Sequence, residues 1–153
     1  MLGEFNTNNR VRDVMAARSW TELFFLDEAT AWAAGHRPCF YCRRDDANRF
    51  RAAWEQGNGV SATLAPDIDA VLHRERLDRG KKRLHPLPGP ITRLPDGAMV
   101  QAGAGYFLIA QGRVLQWSMA GYREAGNAIE GAMLLTPPVR TIAQGVTGLT
   151  DCL

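Results

Sequence analysis

A Cys-x-x-Cys turn at Cys39 and Cys42, between two segments with helical patterns, constrains this sequence more than any other feature. Gly35 and Pro38 lie shortly before it. Because glycine often ends a helix and the residue before proline avoids helical backbone angles, we expect a helix to end here. The turn directs both sulfur atoms to the same side, where two thiolates can bind one Zn2+ at about 2.3 Å. The sequence therefore predicts half of a tetrahedral metal site.

The other ligands of such a site are scarce in this chain. The 153 residues include three cysteines and three histidines, and no cysteine precedes Cys39. We predict that His36 and His73 join the two cysteines around Zn2+, with His85 and Cys152 as further candidates. Two alternatives stay open. The pair can consist of ordinary thiols, or it can carry redox chemistry, which a helix N-terminus favours because it lowers a thiol pKa.

Basic residues are concentrated around and after the turn. The whole chain has a net charge of +2, whereas residues 37–93 contain 12 basic and 7 acidic residues. This excess favours an anionic partner, and nucleic acid is the class that we predict. The predicted contact residues are Arg37, Arg43, Arg44, Arg51, Lys81, Lys82 and Arg83. They would bind phosphate rather than bases, with strong salt dependence. The alternative is that neighbouring carboxylates neutralise them on the protein surface.

Apolar periodicity predicts a strand and three helices in the first half of the chain. The predicted strand covers residues 20–26, and its aromatic and apolar residues indicate that it is buried. The helices cover residues 28–34, a segment from 45 or 46 to about 56, and a segment that begins near Pro66 and is stopped by Gly80. Asp27 is placed to cap the first of them.

The second half changes to strand periodicity after a turn at residues 95–97. Short strands over residues 98–102, 106–110 and 113–118 predict an antiparallel β-meander, with residues 133–136 as a candidate further strand. The predicted fold class is α+β, with a strand and three helices around the Cys-x-x-Cys turn and a small sheet after them. We predict one domain over residues 20–144, a poorly ordered or variable segment over 1–19 and a tail over 145–153.

Composition argues against membrane and secreted classes. No run of about 18 apolar residues is present, and the first 20 residues lack the apolar core of a signal peptide. Three cysteines are too few for a secreted disulfide framework. We therefore expect a cytoplasmic protein without a membrane partner.

Residues 27–42 resemble the second half of the zinc-binding domain of the Ada DNA-repair protein. In that family a helix likewise ends in Ala-Gly, and Arg-Pro-Cys-x-x-Cys carries two of four zinc-ligating cysteines, which match Cys39 and Cys42. The resemblance implies zinc at these two positions. It does not imply repair activity, because the family's earlier cysteine pair, one member of which accepts a methyl group, has no counterpart here.

The stretch from about Thr21 to Pro138 is similar to a group of uncharacterised bacterial proteins. The likeness rests on TELFFLDEATAWAAGHRPCFYCRR, IDAVLHRERL, LPDGAMV, QWSMAGY and LLTPP. Members of that group have a longer front segment with further cysteines, which residues 1–19 do not reproduce. The likeness therefore implies a fold rather than an activity.

Two functions from different classes follow. The first is a small non-enzymatic protein with an Ada-like cysteine turn, vestigial or zinc-binding, which binds nucleic acid or another anionic partner through its basic surface. The second is an enzyme, either a metal-assisted hydrolase or a thiol oxidoreductase, that uses Cys39 and Cys42. A third possibility is a shortened relative with neither metal nor activity.

Overall fold

Three helices form in the part of the chain that the structure describes, close to where the sequence predicts them. The structure is a computed structural model that describes residues 23, 25–126 and 129–137. The helices are α1, Glu28–Ala33; α2, Arg44–Asn58; and α3, Ala65–Arg76. The Asp27 carboxylate accepts a hydrogen bond from the Thr30 N–H at 2.7 Å, which caps α1 as expected.

The predicted segments 1–19 and 145–153 lie outside the described residues, as does most of the predicted strand over 20–26. Among the described residues of that stretch, none belongs to a strand. Leu23 and Leu26 are both more than half exposed. The prediction of a buried strand is therefore wrong at these two positions, because neither side chain finds a partner surface in the described core.

Two short strands, β1, Leu77–Asp78, and β2, Lys81–Lys82, follow α3, and an antiparallel sheet of five strands comes after them. The strands of this sheet are β3, Met99–Ala102; β4, Gly105–Ala110; β5, Arg113–Ser118; β6, Gly121–Ala125; and β7, Met133–Leu134. They are hydrogen-bonded in the order β6-β5-β4-β3-β7. The α+β class and the meander are thus confirmed. The sequence did not predict β6, whose centre, Tyr122-Arg123-Glu124, shows no apolar alternation.

Helix α1 separates two cores. Its Trp32 belongs to a cluster between the three helices, whereas Ala29 and Ala33 pack on sheet residues such as Met99 and Leu108. The helical cluster contains Trp32, Phe50, Trp54, Ile68 and Leu72. The opposite face of the sheet is covered by the segment around a short 3-10 turn, Ile91–Arg93. The residues that follow α1 therefore emerge at the junction of the helices and the sheet.

The predicted end of the third helix is wrong. α3 ends at Arg76, and the chain continues as a hairpin of β1, Leu77–Asp78, and β2, Lys81–Lys82. Arg79 and Gly80 have φ angles of 48° and 78°, as a two-residue hairpin turn of the primed type requires. Gly80 therefore lies in a hairpin turn and not at the C-terminus of a helix. The predicted basic residues Lys81 and Lys82 form strand β2.

Candidate functional site

The Cys-x-x-Cys turn connects α1 to α2. The Arg43 N–H donates to the Cys39 carbonyl at 2.8 Å, which closes the turn just before α2 begins. Both thiols are exposed, and neither forms a disulfide. The thiol of Cys42 and the backbone N–H groups of Cys42 and Tyr41 hydrogen-bond to the Cys39 sulfur. The sequence prediction that both sulfur atoms face one side is consistent with this contact.

These contacts perturb the acidity of Cys39. Partial burial raises the pKa of the Cys39 thiol, but the hydrogen bonds from Cys42 and Tyr41 and the positive charge of Arg37 outweigh it, so that the pKa is lowered overall. Donors that point at a sulfur atom stabilise its anion, as at other helix starts. These hydrogen bonds therefore favour the thiolate of Cys39, which is the form that nucleophilic chemistry requires.

An ion pair holds the first end of the turn to α3. Arg37 Nε and Nη2 donate to the two carboxylate oxygens of Asp69 at 2.8 and 2.7 Å. The Arg37 side chain is only 15% exposed, and its guanidinium lies 5.1 Å from the centre of the Phe40 ring. A bidentate pair fixes the orientation of a guanidinium. Arg37 therefore acts first as a structural anchor in this molecule, which weakens its prediction as a phosphate contact.

A second group of ion pairs holds the other end of the turn. Arg43 contacts Glu28 of α1 and donates through Nε to Asp46 of α2 at 2.7 Å. Asp46 also pairs with Arg49, and the hydrogen bonds from Arg49 and Arg43 hold the pKa of this carboxyl below its usual value. Arg43 was predicted to contact nucleic acid, and here it joins two helices. We call these two anchoring points, Arg37–Asp69 and Arg43–Glu28–Asp46, the ion-pair clamps.

A cavity of about 330 Å3 opens beside Cys39. Its lining consists of Gly35, His36, Arg37, Cys39, Asp69, Leu72 and Arg76. Nη1 of Arg76 lies 3.1 Å from His36 Nε2 and 3.3 Å from the Gly35 carbonyl oxygen. Because a guanidinium can only donate, Nε2 of His36 is the unprotonated nitrogen. Burial and the charge of Arg76 both lower the pKa of His36, in agreement with a neutral ring.

Gly35 is what allows Arg76 to reach this position. Its φ of 76° is left-handed, and a Cβ atom at this residue would lie 2.6 Å from Cδ and 2.7 Å from Cβ of Arg76. The sequence predicts that Gly35 follows the end of a helix, but it does not predict that the Arg76 side chain packs against this glycine.

Of the four predicted zinc ligands, the structure brings two together. Cys39 and Cys42 are adjacent, whereas His36 points its Nε2 at Arg76 and His73 is exposed on α3. His85 Nε2 lies 2.9 Å from the Glu75 carbonyl oxygen. Within residues 23, 25–126 and 129–137, no group of three or more His, Cys, Asp and Glu side chains is arranged to hold a metal ion. The donor set of these residues therefore does not complete a zinc site, and zinc binding stays a prediction.

The remaining predicted basic residues differ in their surroundings. Lys82 is half-buried and donates to the Ala33 carbonyl at the end of α1, and burial together with Arg76 lowers the pKa of Lys82 to about 8. The Arg51 guanidinium also lies over the Phe40 ring, 5.6 Å from the ring centre. Arg44, Lys81 and Arg83 are exposed. These three side chains are the predicted contacts with the best access to a large anionic partner.

Sequence reasoning missed two residues that shape the cavity, Asp69 and Arg76. Together with Leu72 they lie at i, i+3 and i+7 on α3, which is the spacing of one helix face. The sequence therefore contains a signal that these residues share one face of α3. The signal does not identify a cavity, because acidic, apolar and basic residues occur together on the surface of many helices.

Comparison with protein-family models, with curated proteins and with solved structures gave no match. In the part of the chain that the structure describes, none of the helices combines the length and the apolar character that crossing a bilayer requires.

Proposed function

We propose that Cys39 and Cys42 form a reactive dithiol that exchanges with disulfides. The observation that carries this proposal is their arrangement: two exposed thiols, hydrogen-bonded to each other, directly before α2. Thiol–disulfide exchange needs an accessible attacking thiol and a second thiol within reach to resolve the intermediate. The turn supplies both.

The exchange takes place in two steps. The Cys39 thiolate attacks one sulfur of a disulfide R–S–S–R′, forms a mixed disulfide with R–S and releases R′–S−, which takes up a proton. Cys42 then loses its proton and attacks the Cys39 sulfur, which expels R–S−. The protein is left with a Cys39–Cys42 disulfide, two electrons having passed to the substrate. Cys39 takes the attacking role because the N–H groups of Tyr41 and Cys42 stabilise its thiolate.

The test is a trapping experiment with glutathione disulfide. Cys42→Ser should accumulate a mixed disulfide on Cys39, and wild-type protein should convert to the internal disulfide, both visible by mass spectrometry. Cys152→Ser is the matched control and should behave as wild type. The proposal fails if Cys39→Ser and Cys42→Ser accumulate the adduct at the same rate, or if no internal disulfide forms.

A second candidate function is binding to an anionic partner, with nucleic acid as the class considered first. The observation that favours it is the positive charge of Arg76 beside the turn. Arg76 contributes to lowering the pKa of both His36 and Lys82, after burial in each case. Repulsion of this kind indicates a place where an added anion would be stabilised. The exposed Arg44, Lys81 and Arg83 would extend the contact along phosphates.

Fluorescence anisotropy with labelled single-stranded and duplex DNA and RNA tests this second function. Binding should be detectable at low salt, should weaken steeply as salt is added, and should decrease in a variant with Arg44→Glu, Lys81→Glu and Arg83→Glu. A variant with Arg93→Glu, Arg113→Glu and Arg123→Glu, three exposed positions outside the predicted contacts, has the same change of net charge and is the matched control. Undetectable binding of every probe at low salt would remove this candidate without affecting the dithiol proposal.

A further inference from the structure

The Cys-x-x-Cys turn presents two sulfur ligands to solvent but only half of a coordination shell. Both thiols are exposed and lie on one short turn. Structural zinc is nearly always four-coordinate and tetrahedral, and thiolates are among its preferred ligands. A zinc ion bound by Cys39 and Cys42 would therefore keep two positions for ligands from elsewhere.

The chain offers few groups to fill those positions. No cysteine precedes Cys39, and Cys152 is the single cysteine that follows Cys42. Nε2 of His36 accepts a hydrogen bond from Arg76, and the described residues contain no third ligand arranged with the two sulfurs. A second copy of the chain, in contrast, brings two more thiolates on an identical exposed turn.

We propose that one Zn2+ is bound by Cys39 and Cys42 of two copies of the chain and joins them into a dimer. A two-fold axis through the metal would relate the copies, and two Cys-x-x-Cys turns related in this way supply the four sulfur ligands of a tetrahedral site. The interface is therefore incomplete without the partner copy, because each chain contributes half of the ligands.

The charges around the turn suit such a site. Four thiolates and one Zn2+ carry a net charge of −2, which needs nearby positive groups. Arg37 acts on the Cys39 sulfur through its charge, and the exposed Arg44 begins α2 two residues after Cys42. Each copy contributes both cations. Without zinc the exposed Arg44 side chains of the two copies would repel one another across the contact, so the metal should control association.

The ion-pair clamps lower the entropic cost of forming the site. Arg37–Asp69 fixes one end of the turn and Arg43–Glu28 the other before any metal arrives. Ordering of flexible ligands is a main cost of binding, so a turn that is already ordered binds more tightly. The inference does not depend on disulfide exchange, but the two are linked: a Cys39–Cys42 disulfide has no thiolates to offer, so oxidation should release the metal.

The experiment uses the full chain, reduced and metal-free, titrated with Zn2+ alone. Metal content and light-scattering mass after size-exclusion chromatography should give one zinc per two chains and a doubled mass. Cys39→Ser and Cys42→Ser should each abolish both, and circular dichroism should show that these exposed substitutions leave the fold intact. His36→Gln, His73→Gln and Cys152→Ser are the matched controls and should retain both.

Several results would overturn the inference. One zinc per monomeric chain would show that ligands come from within the chain, and so would loss of zinc in any of the three control variants. A dimer that persists after chelation, or no zinc binding by reduced protein, would contradict it as well. Cobalt substitution gives an independent readout, because sulfur-to-cobalt charge-transfer bands should appear as the mass doubles and vanish in Cys39→Ser.

Discussion

Gly35 is the position at which a single methyl group should most disturb the site. In Gly35→Ala, the added Cβ would lie 2.6 and 2.7 Å from Cδ and Cβ of Arg76, with the backbone held at a φ of 76°. A left-handed backbone angle costs an alanine roughly 1–2 kcal/mol. Overpacking by a methyl group adds about 1–3 kcal/mol, and the contact with Arg76 Cβ cannot be relieved by a rotamer change alone. We expect Gly35→Ala to lower the free energy of unfolding by about 2–5 kcal/mol.

Gly59→Ala is the matched control. Gly59 ends α2 with a φ of 65°, and a Cβ atom there would meet nothing within 4 Å. The free energy of unfolding of this variant should therefore fall only by the cost of a left-handed backbone angle at alanine, roughly 1–2 kcal/mol. Urea unfolding followed by tryptophan fluorescence suits the comparison, because Trp32 and Trp54 are buried in the helical cluster, and the two variants should share one m value. Equal losses in the two variants would show that Arg76 does not need the space that Gly35 leaves.

Three further predictions concern residues around the sheet and the end of α1. Thr136→Val should lower the free energy of unfolding by about 1–3 kcal/mol in urea, because the buried Met99 N–H then loses its 2.9 Å bond to Thr136 Oγ1; Thr136→Ser, which keeps the oxygen, should lose less. Tyr122→Phe should lose about 1–2 kcal/mol with the 2.6 Å bond to Asp27, and no loss would mean that water replaces the tyrosine. Burial lowers the pKa of Lys82 from 10.5 in the unfolded chain to about 8 in the folded protein. Between these two pH values the unfolded chain binds the lysine proton and the native state does not, so the free energy of unfolding increases as pH rises from about 8 to 10.5. The stability of wild type relative to Lys82→Met, from urea unfolding well below and well above pH 8, should therefore increase with pH, and a flat or falling difference would contradict the burial of this amine.

Local signals explain which elements the sequence predicts well. Asp27 caps α1, Pro66 lies in the first turn of α3, and Gly35 and Gly59 occupy left-handed positions after helices. Each of these residues affects only the backbone within one helical turn, so its effect can be predicted from the sequence without knowledge of the tertiary structure. The end of α3 is different. A glycine after basic helix-forming residues is compatible with a helix C-terminus or a hairpin turn, and only tertiary contacts decide between them.

The candidate site likewise has a part that depends on local sequence and a part that depends on tertiary contacts. The cysteine turn itself is local and was predicted, but the partners of its arginines are distant in sequence. Arg37 pairs with Asp69, 32 residues away, and Lys82 donates to the Ala33 carbonyl, 49 residues away. The positive charge that suggested a nucleic-acid surface is thus partly used inside the fold. A count of charges along a sequence cannot separate cations that hold helices together from cations that face solvent.

The ion-pair clamps have a consequence for how the oxidation state of this protein can be observed. A Cys39–Cys42 disulfide closes one of the smallest rings that a chain can form, and short rings restrict the unfolded state least. Since Arg37–Asp69 and Arg43–Glu28 already order the turn, reduction should leave it in place. The disulfide should therefore raise the melting temperature by only about 4–8 °C. A direct count of reactive thiols would report oxidants and reductants of this protein more clearly than a thermal-shift screen.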